Sequence, residues 1–186
     1  MQRRKFLLTT AASAATAASL PLASFAETAA PPKRSKGYLV KAHAARLGQK
    51  TLLGHSPNEL KVAAQDTGSD LSIFEYTGHD KGGPPLHIHL AQDEVFYILE
   101  GEYLFQLGEE KFRATAGDTV FAPRQVPHAF AQVSAEGRMF YLFQPAGSME
   151  AFFRESGEIN GAPTPAQAEA LFARHELKIV GPPLTF

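Results

Sequence analysis

Three imidazoles and one carboxylate sit in two short stretches of this 186-residue chain. The first is His87-Ile88-His89 followed by Glu94 and Gly101; the second is Pro127-His128-Ala129-Phe130, about 40 residues on. Imidazole nitrogen with carboxylate oxygen is a donor set for divalent transition ions, iron, manganese, nickel or zinc among them. Cysteine is absent, so thiolate ligation and disulfides are both excluded. Three neutral imidazoles and a carboxylate leave an octahedral ion two open positions, as binding of a substrate or dioxygen requires.

These side chains converge only if the backbone brings them together. His87 and His89 are two residues apart, so on a strand both point to one face with Cα atoms about 6–7 Å apart. Glu94 lies at an odd offset from His89, which requires a bend through Leu90–Asp93. Beyond that bend Glu94 shares a face with Phe96 and Ile98, and His128 shares one with Phe130 and Gln132. Asp93 falls on the opposite face from Glu94 and is not expected as a ligand. His43, His55, His79 and His175 have no partner at ligand spacing and are read as structural or exposed. Phe96, Phe130 and Gln132 are the residues expected to meet a substrate, with Arg124 read as solvated.

The elements that carry these residues read as β structure. Lys50–Leu53, Glu59–Ala64, Leu71–Thr77, Glu94–Leu99, Tyr103–Leu107, Thr119–Ala122, Ala129–Val133 and Arg138–Phe143 are short runs punctuated by turns such as Leu107-Gly108-Glu109 and Ala116-Gly117-Asp118. Such a series predicts an all-β sandwich or barrel over about 37–147. The tail, 148–186, changes to helix. Ser148 is a candidate N-cap with Gly157 beyond the helix end, and Thr164-Pro165-Ala166-Gln167 has a hydroxyl cap, proline at N1 and a capping-box glutamine. The tail is expected to pack on the barrel, with no catalytic part.

The first 26 residues read as an export signal. Gln2-Arg3-Arg4-Lys5 precedes an alanine-rich stretch to about Leu22, and Ser24-Phe25-Ala26 offers small residues for cleavage before Glu27. Arg3-Arg4 followed by Lys5-Phe6-Leu7 resembles a twin-arginine signal, which implies the twin-arginine export machinery as a partner and a periplasmic or secreted location. Thr9, Thr10, Ser13, Thr16, Ser19 and Pro21 make the segment too polar to serve as a membrane anchor. Loss of residues 1–26 removes three basic residues and no acid, taking the net charge from −1 to −4 and leaving no electrostatic footprint for nucleic acid. Residues 27–36 read as a flexible lead-in. Twin-arginine routes carry folded proteins, so the resemblance implies metal loading before export. Affinity order alone favours copper or zinc, whereas cytoplasmic loading favours iron, manganese or nickel.

Gly82, the His87-x-His89-x4-Glu94-x6-Gly101 run and Gly117-x5-Pro123-x4-His128 resemble the two signature motifs of the cupins. The leading glycine stands closer to His87 than in the family pattern. Gln125 and Gln132 replace the glycine and asparagine that usually flank the second histidine. Gly83-Pro84-Pro85-Leu86, Asp93-Glu94-Val95-Phe96-Tyr97, Phe121-Ala122-Pro123-Arg124 and Gly181-Pro182-Pro183-Leu184 resemble single-domain quercetinase-like cupins. The resemblance implies a double-stranded β-helix, or jelly-roll barrel, with His87, His89, Glu94 and His128 as metal ligands. It further implies a homodimer and dioxygenation of an enolic, aromatic or flavonoid-like substrate; in an oxidoreductase of this kind Glu94 is expected to shift off the metal and act as general base. A non-catalytic ligand-binding or sensing cupin and a metal-dependent isomerase or decarboxylase are the alternatives on the same scaffold.

Overall fold

The computed structural model describes residues 36–186 apart from Asn160; the expected export signal, and nearly all of the lead-in, lie outside the described residues. The strands are β1 (Lys50–Leu53), β2 (Ser56–Val62), β3 (Ser72–Gly78), β4 (Pro85–His89), β5 (Asp93–Glu100), β6 (Glu102–Leu107), β7 (Glu110–Thr115), β8 (Thr119–Ala122), β9 (His128–Gln132), β10 (Gly137–Gln144) and β11 (Leu177–Pro183). The helices are α1 (Ala64–Thr67), α2 (Met149–Gly157) and α3 (Pro165–Arg174). No helix among the described residues is long and apolar enough to cross a membrane.

Two antiparallel sheets face each other. One has the order β1-β2-β3-β10-β5-β8 and the other β11-β4-β9-β6-β7. This is the expected all-β jelly roll with a short helical tail. Alternation along the strands sets the inner faces: on β5, Glu94, Phe96 and Ile98 are buried while Tyr97 between them is exposed. The core between the sheets is aromatic. Phe96 meets Phe105, Phe130 and Tyr141 with ring centroids 5.1 to 6.0 Å apart. Edge-on and offset ring contacts of this kind hold side chains in fixed orientations.

Turn chemistry closes the hairpins where the sequence marks it. Gly108 (φ 58°) lies in the β6–β7 turn, and Asp118 accepts a 2.7 Å hydrogen bond from the Thr115 N–H in the turn before β8. Gly101, between β5 and β6, has φ 86°, and a Cβ there would lie 2.6 Å from the Glu136 carbonyl oxygen. Glycine is therefore required on both conformational and steric grounds.

Three strands were not read from sequence: β4, β7 and β11. The tail forms the two expected helices. The capping box of α3 is present, with the Gln167 N–H donating to Thr164 Oγ1 and the Thr164 N–H donating to Gln167 Oε1. Ser148 precedes α2 but makes no capping bond. Its hydroxyl lies 3.0 Å from His175 Nδ1, and Glu150 in the first turn accepts the Ala64 N–H at 2.6 Å. Met149, Phe152, Phe153, Leu171 and Phe172 join the same hydrophobic core as the barrel interior, so the tail is part of the core and not an appendage.

Candidate metal centre

The bend between β4 and β5 is the step that makes the site. His87 and His89 leave β4 on one face, the chain turns at Leu90–Gln92, and Glu94 re-enters on β5 in the opposite sheet. β9 runs beside β4 with His128 directly across from His87. Three imidazoles from one sheet thus face one carboxylate from the other. Their ligand atoms all lie within 4.8 Å of one another, and all four residues are buried.

Backbone carbonyls set the histidine tautomers. His87 Nδ1–H donates to Pro85 O at 2.8 Å and His128 Nδ1–H to Val126 O at 3.0 Å. Each bond turns Nε2 inward, the arrangement that commonly orients metal-bound histidine. His89 is fixed by packing, its ring stacked 5.3 Å from Phe143 and 5.2 Å from His128. His89 Nδ1 makes no well-formed hydrogen bond; the buried amide of Gln92 is the polar group that acts on it.

Inside the cluster the inward nitrogens crowd each other. His87 Nε2 and His89 Nε2 are 3.2 Å apart, and Glu94 Oε2 lies 3.0 Å from His128 Nε2 and 3.4 Å from His89 Nε2. Burial, and then the nearby His128, lowers His87 to about 3; burial and the two other histidines hold His89 well below its ordinary value. Both rings are therefore neutral donors at any ordinary pH. Burial raises Glu94, although its hydrogen bond to His128 opposes the shift. Burial also pulls His128 down, but the bond to Glu94 and its charge outweigh that and leave His128 above its ordinary value.

A buried carboxylate needs a compensating cation. Among the described residues only the imidazoles of His89 and His128 pair with Glu94. Two neutral imidazole nitrogens turned toward each other beside that carboxylate are satisfied together by one divalent ion. The donor set therefore fits a divalent transition metal held by nitrogen and oxygen.

The cluster opens into a cavity of about 460 Å³. Phe96 and Phe130 line it as expected, with Tyr76, Tyr141 and Phe143 beside them. Gln132 does not. Its amide is wholly buried elsewhere, donating to the carbonyls of Gly78, Ser134 and Ala135. Arg124 is exposed, as expected, but also paired: it grips Asp93 through Nε at 3.0 Å and Nη2 at 2.8 Å, while its backbone N–H donates to the same carboxylate. That pairing lowers Asp93 to about 2 and clamps the turn after β8 to the start of β5, next to Glu94. The sequence also gives no sign that Met149, Phe152, Phe153 and Phe172 of the tail line the cavity.

The turn before His128 departs from the family pattern without losing its shape. Gln125 adopts φ 65°, the left-handed conformation that favours glycine, and its N–H donates to His89 O at 2.7 Å. That bond ties the second motif to the first.

Residues 74–144 match the cupin domain family model, so this part of the chain carries a cupin domain, as the sequence motifs imply. It is 25% identical over 108 residues to the quercetin 2,3-dioxygenase of Bacillus subtilis, covering 58% of this chain and 31% of that protein. It is 42% identical over 48 residues to an uncharacterised protein of Methanocaldococcus jannaschii, covering 26% of this chain and 38% of that one. The chain thus spans about a third of the length of these curated relatives. Among solved structures, KdgF from Halomonas sp. shares the fold with a TM-score of 0.51 at 22% identity, over 62% of this chain and 99% of that one.

Proposed function

We propose that the protein is an exported, metal-dependent oxidoreductase of the dioxygenase type, acting on a small enolic, aromatic or flavonoid-like substrate. The observation that carries this reading is the opening of the four-donor cluster into a cavity walled by aromatic rings. His87, His89, Glu94 and His128 are the residues that would hold the ion. A bound ion of this class supplies open coordination positions for a substrate oxygen and for dioxygen. The similarity to a quercetin 2,3-dioxygenase over 108 residues supports that chemistry over others available to the scaffold.

The chain's own residues supply three things. Phe96, Phe130 and Phe143 exclude water and offer ring faces and edges to a flat substrate. The carbonyl bonds at His87 and His128 keep both donors oriented between turnovers. Glu94, raised by burial, would serve as general base toward a substrate hydroxyl when its carboxylate is not holding the ion.

The test is dioxygen consumption by metal-loaded protein with flavonols and small enolic acids. Uptake with at least one of them supports the reading. No uptake at full metal occupancy contradicts it and favours a ligand-binding, isomerase or decarboxylase role. Export by the twin-arginine route is part of the same proposal and rests on Arg3 and Arg4. A chain with both changed to lysine is expected to stay in the cytoplasm when cell fractions are probed, and normal export of that chain contradicts the assignment.

A further inference from the structure

The cupin domain match ends at residue 144, yet much of the cavity wall comes from beyond it. Met149, Phe152 and Phe153 of α2, Ala168 and Phe172 of α3, and Leu177 at the start of β11 all line the space in front of the ligand cluster. Of these residues, Phe172 makes a ring contact with a ligand histidine. Its ring meets the His87 ring edge-on at 5.7 Å with an interplanar angle of 85°, and meets Phe152 at 5.1 Å and 89°. The two phenylalanines form an aromatic roof over the donor cluster, one from each tail helix.

This roof is fixed at both ends. The Thr164–Gln167 capping box sets the start of α3. After α3 the chain returns as β11 and pairs with the histidine strand itself, Leu177 opposite His89 and Ile179 opposite His87. Arg174 reaches Glu155 at 3.0 Å, joining the end of α3 to α2, and His175 Nδ1 lies 3.0 Å from Ser148 Oγ. The helix carrying Phe172 therefore takes its position from the same strand that carries His87 and His89.

Resting on the metal-centre reading above, we propose that Phe172 and Phe152 are the specificity-determining residues of the site. Their rings select a ligand whose metal-binding oxygens are borne on a flat aromatic ring, and the tail, not the barrel, sets that selection. Phe172 packs edge-on to His87 and offers no metal-binding atom of its own, so it acts on the body of the ligand and not on the ion. A ligand with no aromatic body is indifferent to it.

The experiment compares two probes on the full chain loaded with cobalt(II), read by visible absorption. 4-Nitrocatechol reports a chelating aromatic ligand, and azide reports access to the ion alone. In Phe172→Ala the affinity for 4-nitrocatechol is expected to fall roughly tenfold relative to azide, the scale of a lost aromatic contact. Phe172→Leu keeps most of the volume without the ring, so it guards against simple unfolding, and its ratio is expected to fall roughly threefold. The proposal is overturned if the ratio is unchanged in both variants, or if both probes weaken together because His87 has lost its support. A wild-type chain that takes up no cobalt instead removes the metal reading itself. Uptake with an unchanged ratio removes only the role of the roof.

Discussion

Gln125 shows how much a single residue reveals about the site. The family places glycine at this position, and the structure shows why: the backbone turns through φ 65° so that its N–H can reach His89 O. A side chain in that conformation costs roughly 1–2 kcal/mol, offset in part by the larger unfolded-state entropy of glycine. Gln125→Gly is therefore expected to stabilise the protein by roughly 0.5–1 kcal/mol in urea denaturation without changing metal content. The ligands themselves were legible because strand parity and the odd His89–Glu94 offset forced one bend and one convergence. Arg124 is exposed as expected, but its pairing with Asp93 was not legible because that partner lies 31 residues away and meets it only across the fold. Gln132 shares its parity with His128 and Phe130, but it lies at the far end of β9, where Gly78 and the Ser134–Ala135 turn claim its amide.

At the scale of elements, the strands read from sequence are mostly those with one face toward the core. β7 and β11 lie at the two edges of their sheet, and exposure there erases the alternation that marks a strand. β11 also carries Gly181, Pro182 and Pro183, which an edge tolerates and a central strand does not. β4 begins at Pro85 after two glycines and Pro84, so its five residues read as the end of a turn. The helices were legible because caps are local; their destination over the cavity was not, because it depends on β11 pairing with β4 about 90 residues earlier in the chain. Thr164→Ala removes the hydroxyl of the capping box. It should cost about 1 kcal/mol and loosen α3. Hydrogen exchange over Pro165–Arg174 is expected to rise, while the strands of the barrel keep their protection. Unchanged exchange in α3 would contradict the role given to the cap.

The whole molecule couples its stability to the buried histidines. In the metal-free chain His87 has a folded value of about 3 against an ordinary 6.5, and His89 is shifted in the same direction. Between those values the unfolded chain binds protons that the folded chain refuses. Stability is therefore complete above about 6.5 and is lost as pH falls toward 3. His128, shifted upward by Glu94, works in the opposite sense and offsets part of the loss. The melting temperature of chelator-treated protein is expected to drop progressively below pH 6.5, and a His87→Leu variant is expected to show a shallower slope. An equally steep slope in the variant would contradict the assignment of this dependence to His87.

The central claim is that four residues from two facing sheets hold one ion. Elemental analysis of the purified chain after exposure to iron(II), manganese(II) or nickel(II) and removal of excess tests it most directly. About one ion per chain is expected for wild type. Glu94→Gln and His128→Ala are expected to lose metal at least as severely as the roughly 10–100-fold penalty for loss of an outer-shell partner. A folded wild-type chain that retains none of these ions, or variants that retain them as fully as wild type, would contradict the account.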